Sequence, residues 1–394
     1  MKILWIATKP PWPPIDGGRL LVDHTLRALR AAGHELTLVA PVDSRRDDAR
    51  RIAAELGACC RAQLVDAAPR SLAGAWLRAQ LRRRPLTIVR HALPAVRERV
   101  QALVETESFA VVQVEQVQAF WAAEPAWRRG LPVVLRAQNV ESDLWAATAR
   151  LSPLRRPLLA PEARRLAAWE ATAVRRAAAT VALTREDATR LAALAEVAGK
   201  THIIPAPFAG ELPAAERPLP GAPAVVLFGS GGWLPNRAGA QWFLSEVWPR
   251  VRDAWPEAML HLIGLVRKRP AGSDPSVVVH PAPADSRAAY PDGTLFVVPL
   301  AIASGVRIKI LEAWARGVPV IATPQAARGL EAEDGRELLL ARDADEFTAA
   351  IGRLHQQGEL REAMIEAGRR RLRRVHAPAR VAASLEGIYT GLCR

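Results

Sequence analysis

Cysteine is scarce in this 394-residue chain, which has three, Cys59, Cys60 and Cys393. An odd number without a spaced framework argues against a disulfide-stapled scaffold and against a cysteine-built zinc site. Cys59 and Cys60 are expected to pack beside a buried strand. Tyrosine and phenylalanine are also few, at 2 and 7. No basic–aromatic platform for stacking bases is present, so nucleic acid is not an expected partner. No run of 18 uncharged apolar residues occurs, so no segment is expected to span a membrane. The opening Met1-Lys2-Ile3-Leu4-Trp5-Ile6-Ala7 is too short for the apolar part of a secretory signal, and it runs into Lys9 and a proline cluster. The expected location is the cytoplasm, with peripheral contact at the inner membrane surface as an additional expectation.

Half of the residues are hydrophobic and 24% are charged, enough apolar content for a sizeable core. The length suggests two domains. The formal net charge of +14 attracts phosphates, whether in nucleic acid, anionic lipid or a nucleotide. Arginine used merely for solubility is the competing explanation.

Apolar runs and turn signals outline a repeated strand–helix theme. Lys2 to Ala7 reads as a buried parallel strand, followed by an extended proline loop ending in Asp16-Gly17-Gly18. A helix is predicted from about Leu20 to Arg30, stopped by Gly33, and then a strand from Glu35 to Val39. Further strands are predicted at 109–114, 132–135, 179–183 and 202–204, with Thr184 capping a helix that starts near Glu186. A proline-rich stretch follows. The second half restarts with a strand at 225–228, the turn Gly229-Ser230-Gly231-Gly232 and a helix at 238–248. Strands at 259–263, 295–298 and 318–322, a helix at 311–316 and a last helix at 379–392 complete it. The expected division is a first domain over 1–205, a linker over 206–223, a second domain over 224–375, and a tail of 376–394 that folds back on the first domain. Two such α/β units imply a cleft between them.

The densest chemistry lies in Ser304-Gly305-Val306-Arg307-Ile308-Lys309-Ile310-Leu311-Glu312-Ala313-Trp314-Ala315-Arg316-Gly317-Val318-Pro319-Val320-Ile321-Ala322-Thr323. A glycine loop leads into a helix, and loop amides at a helix N-terminus suit a phosphate. Arg307 and Lys309 add positive charge, and Glu312 can accept hydrogen bonds from ribose hydroxyls. An exposed helix carboxylate is the plain alternative for Glu312. Asp343-Ala344-Asp345 has the look of a metal motif, but it sits between a strand and a helix, where Asp is a good cap. Glu115 at a strand end is either an acceptor contact or a solvated acid. Glu141 is either a site residue or a first-turn helix carboxylate. Arg78, Arg82, Arg83, Arg84, Arg90, Arg97 and Arg99 interleave with Trp76, Leu77, Leu81, Leu86 and Ile88. That patch suits either anionic lipid or plain solvent.

The 304–323 segment resembles the donor site of GT-B glycosyltransferases, in particular the family-4 group. Three further segments are similar to that family: the proline loop with Gly17-Gly18, the stretch Arg136-Ala137-Gln138-Asn139-Val140-Glu141-Ser142 of exopolysaccharide-type members, and Phe228-Gly229-Ser230 with Trp233, Pro235-Asn236 and Gly239. The resemblance implies an α/β fold of two Rossmann-like domains facing a cleft. It implies a retaining, metal-independent transfer with no cofactor, from a nucleoside-diphosphate sugar to a lipid-linked or glycan acceptor. Donor binding would fall to Gly17, Gly18, Gly229, Ser230, Ser304, Gly305 and Glu312, and leaving-group stabilisation to Arg237, Arg307 and Lys309. Glu115, Asn139 and Glu141 would face the acceptor. Three positions depart from the family pattern: Ser304 stands in place of a first glutamate eight positions before Glu312, Gln138 in place of His, and Ala206 in place of the hinge Asn. They motivate a second reading, a binding or scaffold protein with little turnover. A sugar-nucleotide epimerase is a third.

Overall fold

A computed structural model describes residues 1–151, 153–266 and 274–393. The first sheet contains β1 (Lys2–Ile6), β2 (Glu35–Val42), β3 (Arg61–Asp66), β4 (Val111–Glu115), β5 (Val133–Ala137), β6 (Ala179–Ala182) and β7 (Thr201–Ile203). Its spatial order is β3-β2-β1-β4-β5-β6-β7, all parallel. Parallel strands are covered by helices on both faces, which is why β1 reads as an uninterrupted apolar run. Ile3, Leu4, Trp5 and Ile6 are fully buried. Leu4 pairs in register with Thr37 on one side and Val112 on the other. β3 carries no sequence signal because it is an edge strand of half-exposed residues. Cys59 and Cys60, just before it, are buried in the core as expected.

The second sheet contains β8 (Ala224–Phe228), β9 (Met259–Ile263), β10 (Val277–His280), β11 (Leu295–Val298), β12 (Val320–Ala322) and β13 (Leu339–Leu340), in the parallel order β10-β9-β8-β11-β12-β13. The edge strand β10 escaped the sequence reading. The helix expected at 238–248 starts earlier, at Leu234, and runs to Trp242 before a wide turn over Phe243–Val247. Pro235 explains the early start, since proline suits a first helical turn, where its missing N–H costs nothing.

In each sheet the strand order reverses beside the first strand, between β1 and β4 and between β8 and β11. Such switch points open a crevice at the carboxyl ends of the strands. The loops after β1, β4, β8 and β11 therefore face one another across the two units.

The chain crosses between the units twice, and the two crossings hold each other. The Phe208 amide donates to the His376 carbonyl at 2.7 Å, and His376 Nδ1 lies 2.8 Å from the Ala206 carbonyl. Beyond His376 the final helix, Pro378–Leu392, packs on the first unit. Val381, Ala382, Leu385 and Tyr389 join the core that contains Ile3 and Trp5, and Tyr389 Oη donates to Gln113 Oε1 at 2.7 Å.

Burial pushes His376 down to about 4; the Ala206 carbonyl opposes the shift and Arg371 adds to it. In the unfolded chain the imidazole titrates near 6.5. As pH falls below that value the unfolded chain takes up a proton that the folded chain refuses, so stability declines towards pH 4. His376→Asn keeps a donor for the Ala206 carbonyl and is expected to flatten this decline. Urea unfolding at about pH 7 and about pH 5 reads it, and an unaltered difference between the two would contradict it.

Candidate active site

The cavity at the two switch points has a volume of about 660 Å³. Its first-unit wall begins where β1 ends. Asp16 caps the helix Gly17–Ala31 by accepting from the Arg19 amide at 3.0 Å, and Lys9 Nζ holds its other oxygen at 2.6 Å. Burial raises the Asp16 carboxyl, and Lys9 and Arg19 outweigh it, leaving the group below its ordinary value. The amides of Gly17 and Gly18 head this helix, and first-turn amides have no partner within their own helix. A Cβ at Gly18 would lie 2.9 Å from Gln138 Oε1, so a larger residue there would require the Gln138 side chain, held by Gln116 and Glu115, to shift.

Beneath this wall runs a buried polar chain. Arg136 grips Glu115 through Nε at 3.0 and 2.9 Å and through Nη2 at 2.8 Å, and its Nη1 donates to Thr25 at 2.7 Å. Gln138 Nε2 donates to Glu115 Oε1 at 2.8 Å, Gln116 Nε2 donates to Gln138 Oε1 at 3.0 Å, and Thr8 Oγ1 donates to Gln116 Oε1 at 2.8 Å. Gln116 adopts a positive φ of 68°, a strained backbone held at the cavity edge.

The second-unit wall is cationic. Arg307 precedes the helix Ile308–Ala315 and is buried, with its Nε lacking a protein partner among the described residues. Burial lowers it to about 10, against the pull of Asp187. Lys309 Nζ donates to the Phe228 carbonyl at 2.9 Å and to Asn236 Oδ1 at 3.2 Å, both neutral oxygens. Burial, with Arg307 beside it, pushes Lys309 down to about 7. One turn on, Glu312 is buried, and its Oε1 accepts from Ser286 Oγ at 2.6 Å and from Arg316 Nε and Nη2 at 3.0 and 2.9 Å. Among the described residues no hydrogen bond reaches Oε2. Burial raises the carboxyl, with Ser286 and Arg316 opposing. Trp233 lies under the Arg307 guanidinium at 5.8 Å, and Tyr290 completes the wall.

Between the two walls the units are clasped. Ser304 Oγ accepts from the Val140 amide at 3.2 Å and donates to Asp187 Oδ1 at 3.3 Å, and the Gly305 amide donates to Asp187 Oδ2 at 3.1 Å. Gly305 has φ +69°, and a Cβ there would lie 2.2 Å from the Gln138 carbonyl. With its amide turned to satisfy its neighbours, Asn139 donates to the Ser304 carbonyl at 2.8 Å. On the far side of the clasp lies a second groove of about 930 Å³, lined by Ser304, Gly305, Asp187 and Arg150 among others.

Residues 16–207 match the family described as glycosyl transferase 4-like domain, and residues 222–357 match glycosyl transferases group 1. The chain belongs to the GT4-like glycosyltransferases of GT-B fold. No curated protein matches this glycosyltransferase in sequence. Sucrose-phosphate synthase from Thermosynechococcus elongatus is similar in structure at 17% identity and a TM-score of 0.74, over 100% of this chain and 99% of that one. HepE of Anabaena, solved with UDP and glucose, is similar at 15% identity and a TM-score of 0.68, over 99% of this chain and 100% of that one. The lipopolysaccharide outer core galactosyltransferase WaaB is similar at 13% identity and a TM-score of 0.56, over 99% of both chains.

The cavity of this GT4-like glycosyltransferase brings together Gly17, Gly18, Asn139, Gly229, Ser230, Arg307, Lys309 and Glu312. Other expected residues lie elsewhere. Arg237 is exposed and off the cavity wall, because the helix turns Asn236 inward at that point. Glu115 is not a solvated acid and does not line the cavity, since Arg136 and Gln138 engage it in the interior. Glu141 opens the helix Glu141–Leu151, outside the cavity lining. Ser304 and Gly305 serve the clasp and face the second groove. Asp343 caps the helix Ala344–Gln356, accepting from the Glu346 amide at 2.9 Å. The sequence reading missed Gln116, whose strained backbone leaves no sequence mark. It missed Asp187, which, three residues after Thr184, reads as first-turn charge and not as an inter-unit anchor.

Removing one partner of a buried ion pair strands the other charge. Glu115→Ala is expected to cost about 3–5 kcal/mol of stability, read by urea unfolding. A loss below about 1 kcal/mol, the range of surface pairs, would show that Arg136 finds solvent.

Proposed function

We propose that this glycosyltransferase takes its sugar from a nucleoside-diphosphate sugar bound in the cavity, with the diphosphate seated between the Gly17-Gly18 amides and the Arg307–Lys309 cations. The observation that carries the reading is that, among the described residues, these two cations are held at the cavity wall without a carboxylate hydrogen-bonded to either. Desolvated positive charge of this kind matches an anion that supplies what the protein withholds. Glu312, engaged through Oε1, has Oε2 left for the ribose hydroxyls. HepE was solved with UDP-glucose, which supports a UDP-sugar as the first donor to test.

As the glycosidic bond breaks, negative charge grows on the departing diphosphate, and the pre-placed Arg307 and Lys309 stabilise it without moving. This assigns the leaving group to side chains and not to a metal ion. The acceptor, a lipid-linked or glycan hydroxyl, comes against the first-unit wall near Gln116, Gln138 and Asn139, and the reaction retains anomeric configuration. Proton NMR of the fresh product reads the anomer, and inversion would refute that part.

Thermal-shift screening against UDP, GDP, ADP and dTDP sugars tests donor binding. Release of nucleoside diphosphate with native acceptors tests transfer. Binding without release would favour the scaffold reading, which the departures at Ser304, Gln138 and Ala206 motivate. Conversion of the donor without acceptor would favour an epimerase.

Lys309 titrates near 7 in the free cavity, and a bound diphosphate favours its charged form. Binding is therefore expected to take up protons near neutral pH, and to tighten as pH falls from about 8 towards 7. Calorimetry in buffers of different ionisation enthalpy measures the uptake. Lys309→Met is expected to remove it, and equal uptake in that variant would assign the proton elsewhere.

Glu312→Gln keeps the shape of the side chain but loses the charge. Nucleotide affinity is expected to fall about tenfold to a hundredfold, the span of a hydrogen bond to a charged group. A melting temperature close to that of the parent shows that the Ser286 and Arg316 contacts survive. Unchanged affinity in such a folded variant would remove Glu312 from the donor site.

A further inference from the structure

The helix Leu72–Arg82 is packed the opposite way from an ordinary surface helix. Its buried residues are the small Ala75 and Ala79, whereas Leu72, Trp76, Leu77 and Leu81 stand outward at 61, 46, 57 and 75% exposure. Soluble helices bury the large apolar stripe and expose the polar one. Here the large side chains form the outer arc, with Arg78, Arg82, Arg83 and Arg84 exposed beside them.

A second segment adds to this surface. Leu154 and Leu158, at the start of the helix Arg156–Arg176, are 97 and 61% exposed, with Arg155 and Arg156 exposed between them. The helix is tied back to the first segment, since Arg165 Nη1 donates to Gln80 at 3.2 Å, Glu162 accepts from the Leu86 amide at 2.8 Å, and Arg84 lies over Trp169. Six of the nine large apolar side chains exposed among the described residues fall on these two segments. Scattered single exposures need no account, but this concentration does.

We propose that this face of the first unit docks on an anionic lipid bilayer, with the leucines and Trp76 inserted at the headgroup boundary and the arginines on lipid phosphates. Both halves of the chemistry are required. Apolar side chains gain nothing from a polyanion such as nucleic acid, and a purely apolar partner would leave the flanking arginines desolvated and unpaired. A bilayer with anionic headgroups offers apolar depth and negative charge in one surface, the combination that holds interfacial amphipathic helices. Among the described residues no helix is long and apolar enough to cross a membrane, so the docking is peripheral. The helix Glu141–Leu151 carries Arg150, which lines the second inter-unit groove, and Leu154 follows four positions later. The docking face thus lies close in sequence to the cleft region.

The test is flotation of the full chain with phosphatidylcholine vesicles, with and without phosphatidylglycerol. Binding is expected to the anionic vesicles and to weaken with added salt. The substitutions Trp76→Ser, Leu77→Ser, Leu81→Ser and Leu158→Ser, made together at exposed sites, are expected to reduce it about tenfold or more. Arg78→Glu with Arg82→Glu is expected to do the same. Melting temperatures and far-ultraviolet circular dichroism like those of the parent show that the variants are folded, so vesicle binding is read independently of the donor reading. Three results would overturn the proposal: no binding to anionic vesicles at low salt, binding that survives the apolar substitutions, or a dimer in solution that those substitutions dissociate.

Discussion

The site depends on one electrostatic constraint: two cations, Arg307 and Lys309, are kept in the cavity wall without a hydrogen-bonded carboxylate among the described residues. Burying a charge is costly unless something compensates it. The protein compensates with neutral oxygens, the Phe228 carbonyl and Asn236 Oδ1 for Lys309, and with the face of Trp233 for Arg307. These groups hold the cations in place without cancelling their charge. A bonded carboxylate would have stabilised the wall better and left it a weaker site for an anion. Asp187 is the nearest approach to a counter-charge, and its oxygens are committed to Ser304 and Gly305.

Keeping the wall opposite the glycine turn requires that the two units be fixed in register. Side chains and amides of the clasp do this directly: Val140 to Ser304, Ser304 and Gly305 to Asp187, and Asn139 to the Ser304 carbonyl. The loop that bears the cations is thereby tied to the unit that bears the glycines. At the other end the paired crossings at Ala206–Phe208 and His376 tether the same two bodies. The cavity is thus bounded by a clasp and a double tether, and neither includes the cations themselves.

Much of this was legible in the sequence, for reasons that differ by residue. Buried parallel strands announce themselves as apolar runs, so β1, β8, β9 and β11 were found with small errors at their ends, whereas the half-exposed edge strand β3 was not. The segment from Ser304 to Glu312 stood out because a glycine turn leads through two cations into a helix that carries an acid, the layout that resembles the family's donor site. The direction a side chain takes is another matter. Arg237 and Asn236 are neighbours on one helix, and the position at which that helix starts decides which faces the cavity. Glu115 looked like a free strand end because its partner Arg136 lies one strand away, at its register position. Sequence separation hides such pairs.

The three departures from the family pattern are better understood together than singly. Each position is engaged by its surroundings: Gln138 bonds Glu115 and Gln116, Ser304 bonds Val140 and Asp187, and the Ala206 carbonyl meets His376. Ser304 is the instructive case. Its hydroxyl lies 3.3 Å from an Asp187 oxygen, so a glutamate at 304 would set two carboxylates against each other in a partly buried clasp. Like charges at that distance cannot both stay ionised without penalty. Serine at 304 and aspartate at 187 therefore form a compatible pair, in which the family's acid is exchanged for an anchor between units. The carboxylate at this junction is thus carried by Asp187, which holds Ser304 and Gly305 and at the same time favours the charged form of Arg307.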